Sequence, residues 1–211
     1  MTLIAILISL ILEHTVESMR AYRRFDWFEN YTDKVILWAQ EKQLSGPTSV
    51  LLVMAAPVVA VIVLNIIFHD ALLGLVSLAF SVLVLFICLG PKDLDTQIDN
   101  FPEAWKDENE ALAHDAAEEL LESTPPKSLN GLQQSLVEKI LLASNDRLLA
   151  PIFWFTLFSV MGSGPLGVVL YRVAYNLNKR FADSDSPFSE SAKRLHDILA
   201  WLPAHMAALA F

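Results

Sequence analysis

The sequence predicts an all-α fold: a polytopic α-helical membrane protein with a re-entrant helical hairpin and a cytoplasmic helical region. Three observations carry that prediction. Apolar residues make up 54% of the 211-residue chain and charged residues only 18%, below the roughly 25% charge usual in soluble domains. The apolar residues gather into uncharged runs long enough to matter to a bilayer, where a helix needs about 20 residues to cross the hydrocarbon core. The basic residues, finally, fall into three blocks that can all lie on one side of a membrane.

The elements follow in chain order. "MTLIAILISLIL" is apolar for 12 residues and has neither a basic start nor an A-x-A cleavage site, so it predicts a retained anchor helix rather than a removed signal. With the basic segment that follows it forms the first region, 1–47. The second region, 48–90, holds the 19-residue run "VLLVMAAPVVAVIVLNIIF" and the 20-residue run "ALLGLVSLAFSVLVLFICLG", joined through His69 and Asp70 without a single Lys or Arg. A basic-poor turn between two spanning runs predicts a transmembrane hairpin with its tip outside. Residues 91–147 form an acidic region. Leu94, Ile98, Phe101 and Trp105 recur there at helical spacing, and "LNGLQQSLVEKILLAS" repeats the amphipathic pattern, which predicts cytoplasmic helices.

Residues 148–171 carry no charge and contain "GSGPLG". This fits G-x-G-x-x-G, but a phosphate-cradling loop follows a strand and offers backbone N–H groups, whereas Pro165 has none. A single crossing places the third basic block outside. Turning back at Gly162, Gly164, Pro165 and Gly167 keeps all 15 basic residues inside. The charge pattern favours these residues as the hinge of a re-entrant hairpin over a kinked single span, although both arrangements stay open. The last region, 172–211, returns to the cytoplasm and then ends inside the apolar run "DILAWLPAHMAALAF", which predicts further sequence downstream.

The polar residues divide into two candidate groups. Between Pro91 and Glu122 eleven acids face two lysines. Solvated helix faces account for most of them, and Asp93, Asp95 and Asp99 form a weak metal set of the carboxylate kind Mg²⁺ accepts. Flanking the 148–171 hairpin, Asn145, Asp146, Arg147, Tyr171, Arg172, Asn176 and Asn178 are expected near the inner membrane surface. There they form either a ligand-binding site or a set of mutual pairs, such as Asp146–Arg172, that fixes the hairpin. The net charge of −9 and the lack of a basic stripe exclude nucleic acid as a partner. Arg20, Arg23 and Arg24 predict contact with lipid headgroups. A single cysteine, Cys88, excludes disulfides within one chain.

"MTLIAILISLILE", "CLGPKDL", "LAPIFWF", "GPLGVVLYR" and "ILAWLPAHMAALAF", taken in order, resemble the AmpE family of bacterial inner-membrane proteins, itself related to the CobD/CbiB cobinamide-phosphate synthases. The AmpE likeness implies a non-enzymatic regulatory or signalling role in β-lactamase induction and cell-wall recycling. It implies a membrane or cytoplasmic protein partner and no cofactor. The synthase likeness implies an ATP-dependent amide-forming membrane enzyme using Mg-ATP, with Asp146, Arg172 and the acids near Asp93 as working groups. The sequence departs from the synthase motifs. "E-N-x-x-D" falls in the zone Ala143-Ser144-Asn145-Asp146-Arg147. The Asn, Thr and Asp positions of "Y-R-x-x-N-T-L-D" are Tyr175, Asn176 and Asn178, and "L-D-W-x-P-A-R" becomes Leu199-Ala200-Trp201-Leu202-Pro203-Ala204-His205. These lost charges favour the regulatory reading at this stage. A structural subunit of a membrane complex is the third expectation.

Overall fold

The structure, a computed structural model, describes residues 2–15, 26–68, 74–89 and 129–210. All of its regular structure is helical: α1 (Thr2–Thr15), α2 (Asp26–Glu41), α3 (Gly46–Phe68), α4 (Leu75–Cys88), α5 (Leu129–Ser144), a π-helical turn (Asn145–Leu149), α6 (Ala150–Ser159), α7 (Gly164–Arg180) and α8 (Pro187–Ala210). Among the described residues there is no strand. Two helical stretches are long and apolar enough to cross a membrane, Gly46–Phe68 with 23 residues and Gln134–Ser159 with 26. This is the architecture of an all-α membrane protein. The chain divides into two compact units, Met1–Leu89 with Leu148–Phe211, and Gly90–Arg147.

In the first unit α7 is the central helix, packed against α6, α8, α3 and α4, while α1 lies on α4 and α2 on α3. Its burial follows from composition. Gly164, Gly167, Val168, Val169, Val173, Ala174 and Leu177 leave α7 small or apolar on most of its circumference, so neighbours approach from every side. The core gathers around Val53, Leu85, Phe155, Val168 and Leu177. Polar contacts then pin helix to helix. Ser9 Oγ donates to the Val82 carbonyl at 3.2 Å, Tyr31 Oη to Leu52 O at 3.2 Å, and Trp154 Nε1 to Leu199 O at 2.9 Å.

Residues 160–163 reverse the chain between α6 and α7. Gly162 closes α6 with φ of 75°, a left-handed conformation that glycine adopts without steric penalty. Pro165 sits in the first turn of α7, where a missing N–H costs no helical hydrogen bond. The two helices then touch almost backbone to backbone. A Cβ on Gly164 would strike Ser159 Oγ, and one on Gly167 would strike the Trp154 carbonyl and the Phe158 ring. Gly164 and Gly167 of "GSGPLG" therefore face α6 side chains and carbonyls rather than an open phosphate cradle.

The ends of this unit differ in charge. Arg180 at the end of α7 forms a two-pronged ion pair with Asp33 of α2, both contacts at 2.9 Å. The start of α3 at Gly46 abuts Pro187 at the start of α8. Lys34, Lys179, Lys193 and Arg194 lie on these same helices and Lys42 directly follows α2, among the acids Glu29, Glu41, Asp183, Asp185 and Glu190. At the opposite end Asn65 reaches the hairpin turn, its Nδ2 donating to Gly162 O at 3.3 Å and Ser163 Oγ at 3.4 Å. A cavity beside that contact is lined by Thr2, Ser77, Ser81 and Ser159, and no charged side chain is among the described residues that line it.

The apolar helical stretch that ends at Ser159 begins at Gln134, well before the uncharged run that opens at Leu148. The tip of the hairpin also meets Asn65, within one turn of the end of α3, so the hairpin runs nearly the height of that 23-residue helix. The second unit contributes α5 at the boundaries the amphipathic pattern predicts, with Leu132 and Leu136 buried and Val137, Leu141 and Leu142 exposed. Asp93, Asp95 and Asp99, together with the helices expected over 91–122, lie outside the described residues.

Candidate functional site

The chemistry of the first unit is concentrated on the second half of α7. Helical geometry sorts its polar residues onto two neighbouring faces, because positions three, four and seven apart share a side. Tyr171, Tyr175 and Asn178 form one face, and Arg172 and Asn176 form the other.

The first face meets α8 at His196. Tyr171 is completely buried and His196 is 7% exposed. Their ring centroids lie 5.8 Å apart, and Tyr175 stands edge-on to the same imidazole at 5.7 Å. Asn178 Nδ2 is 3.2 Å from His196 Nδ1. An amide nitrogen only donates, so Nδ1 is the acceptor of this bond. Asp197 Oδ1, at 3.9 Å from Nδ1, is beyond hydrogen-bond range.

The second face opens into a cavity of about 230 Å³ between α2, α3, α4 and α7. Arg172 is only 8% exposed and lines this cavity together with Asn176 and Cys88. Its guanidinium carbon stands 4.9 Å above the Tyr175 ring, a cation–π contact that joins the two faces. A guanidinium in such surroundings acts through a low effective dielectric, which strengthens its pull on any anion brought beside it.

The sequence-derived candidates fall in both units. Tyr171, Arg172, Asn176 and Asn178 sit together on α7. Asn145, Asp146 and Arg147 belong to the π turn of the other unit, where Asn145 is buried and its Nδ2 lies 3.5 Å from Asp146 Oδ1. Among the described residues no three His, Cys, Asp or Glu side chains come close enough to hold a metal ion. Sequence reasoning missed Tyr175 and His196. The signal for His196 was present, since a histidine between Ala192 and Leu199 on the buried face of α8 is a polar group where an apolar one is expected.

With this geometry in place, comparison with known proteins is informative. The chain matches the CobD/Cbib protein family over residues 2–211. It is similar to the cobalamin biosynthesis protein CobD of Chromobacterium violaceum, 26% identical over 146 residues, which are 67% of this chain and 45% of that protein. It is also similar to the cobalamin biosynthesis protein CobD of Stutzerimonas stutzeri, 29% identical over 84 residues, 38% of this chain and 26% of that protein. The chain therefore spans less than half the length of the curated relatives it matches. No solved structure matches it.

These matches overturn the AmpE-type regulatory reading, because the family and the curated relatives are those of cobalamin biosynthesis. The reason for the error is physical. The stretches that carried the AmpE likeness are packing segments: in "LAPIFWF", Ala150, Pro151 and Phe155 are all buried. Such residues record the fold, and a fold does not specify a function.

Proposed function

The chain belongs to the CobD/CbiB family, and on that premise we propose that it serves cobalamin biosynthesis as part of a membrane-embedded enzyme that joins an amine to a carboxylate at the expense of ATP. The single observation that carries this reading is the family match across residues 2–211. Asp146 stays a working group by sequence alone. Arg172 is the residue we assign to the chemistry within the α7 cluster. The carboxylate oxygen attacks the γ-phosphorus of ATP and releases ADP. The amine nitrogen then attacks the carbonyl carbon of the acyl phosphate, phosphate departs, and the nitrogen loses its proton. Negative charge develops on oxygens in both steps, and a buried guanidinium held in place before reaction stabilises it without reorganising. Asn176, one turn on, orients the same oxygens. Tyr175 fixes the Arg172 plane, and His196 with Asn178 fixes Tyr175.

We also propose that the protein is polytopic in the bacterial inner membrane, with the basic end of the helical bundle inside. Growth without added cobalamin tests the function. The gene should restore growth to a bacterial strain lacking its own CobD-type gene, and Arg172→Gln should abolish that rescue while Arg172→Lys retains part of it. Removal of one preorganised donor costs about 10²–10³-fold in rate. Membrane-inserted wild-type protein that never restores growth refutes the assignment.

A further inference from the structure

Ser77 and Ser81 stand out on α4. They are the only hydroxyl side chains in the run "ALLGLVSLAFSVLVLFICLG", and at four positions apart they share one side of the helix. A hydroxyl on an apolar helix can bond back to the carbonyl one turn earlier. Ser9, Thr32, Thr156 and Ser159 all do so, at 2.7 to 2.8 Å. Ser77 and Ser81 make no hydrogen bond to any of the described residues. Both are half-buried, and both line the cavity of about 200 Å³ beside the hairpin turn. A polar group without a partner costs free energy in apolar surroundings, so hydroxyls that pass over the carbonyl within reach are placed for a partner in the cavity.

We propose that this cavity is a binding site for a small uncharged polyol, whose hydroxyls pair with Ser77 and Ser81. Thr2 and Asn65 add polar groups to the wall, and Leu78 and Phe155 supply apolar surface for a carbon skeleton. Serine and threonine hydroxyls both donate and accept, as the hydroxyls of a polyol do. At ~30 Å³ for each group of water size, the volume holds about six or seven such groups, the size of a three-carbon triol. The other chemistries fit the lining less well. An ion would shed its hydration with no opposite charge among the described lining residues. An apolar molecule would leave both serine hydroxyls unpaired. The inference stands on the cavity alone and does not depend on the cobalamin reading.

The single cysteine of the chain makes a cavity reporter simple to install. Full-length protein with Cys88→Ala and Thr2→Cys, in a detergent without a sugar headgroup, is alkylated by N-ethylmaleimide and followed by mass spectrometry. Glycerol should slow the reaction at least about tenfold more than 1-propanol at equal concentration, the scale of one or two hydrogen bonds. The same solutes should leave Ser184→Cys unaffected, since Ser184 lies exposed in the turn between α7 and α8. Ser77→Ala combined with Ser81→Ala should remove the glycerol effect. That double variant should also unfold at the parent's temperature without glycerol, because neither hydroxyl holds a bond to the described residues. A pair of serines needed for packing would lower it. Equal protection by glycerol and 1-propanol overturns the proposal, as does stronger protection by sodium phosphate or by ethanolammonium. So does a Thr2→Cys protein that none of these solutes shields, the behaviour of a cavity that holds water only, or a double variant that keeps the glycerol effect or unfolds early. None of these results bears on rescue of growth.

Discussion

Asn178 illustrates how much a single residue on α7 decides. Its amide holds His196 at 3.2 Å, and His196 in turn is wedged against Tyr171 and Tyr175, so the pair fixes the platform on which Arg172 rests. Asn178→Ala leaves a buried imidazole nitrogen without its donor, a loss of about 1–3 kcal/mol. Thermal unfolding in detergent should show that destabilisation. Tyr175→Ala, which deletes the cation–π contact at a partly buried site, should instead weaken rescue of growth more than it weakens the fold. An Asn178→Ala protein as stable as the parent removes the argument for a fixed His196. At this scale the sequence was half legible. Arg172 stood out because a cation beside a long uncharged run needs a reason. Tyr175 and His196 did not, because their role arises from a pairing between α7 and α8, separated by 18 positions along the chain, and no periodicity within one helix encodes it.

The hairpin of α6 and α7 is the element on which the packing turns, and its glycines have different tasks. Gly162 has open space around it but a φ of 75°, so Gly162→Ala costs conformational strain alone, about 1–2 kcal/mol. Gly167 has an ordinary helical backbone, yet a Cβ there would meet the Trp154 carbonyl and two Phe158 ring carbons, the latter at 2.8 Å. A carbonyl within a helix cannot rotate away, so Gly167→Ala must push the helices apart and should be the more damaging change, by about 1–3 kcal/mol of overpacking. Equal unfolding temperatures for the two variants would show that the helices do not approach as closely as drawn. The turn itself could be read from "GSGPLG" because glycine and proline report local backbone needs. The depth of the hairpin could not, since it depends on the Asn65 contacts and on a helical stretch that continues back to Gln134.

On the scale of the whole molecule, the distribution of charge sets the orientation. In the first unit the Asp33–Arg180 ion pair and the Gly46–Pro187 contact draw α2, the end of α7 and the start of α8 to one end, and the lysines and arginines of those segments collect there. Thr2, Asn65, Gly74 and Gly162 line the cavity at the opposite end, and no charged side chain is among the described residues that line it. Moving this charged end across a bilayer would carry several cations through hydrocarbon, at about 2.5–3.5 kcal/mol each on insertion scales, which is the ground for proposing that it faces the cytoplasm. Ser184, exposed in the turn between α7 and α8, reports directly on this. With Cys88→Ala as background and Ser184→Cys as the probe, a membrane-impermeant maleimide should leave intact cells unlabelled and react fully once the membrane is opened. Labelling of intact cells at that position would place the α7–α8 turn outside. The three basic blocks would then be split between two compartments, and the Arg172 cluster would sit near the outer surface, away from cytoplasmic ATP.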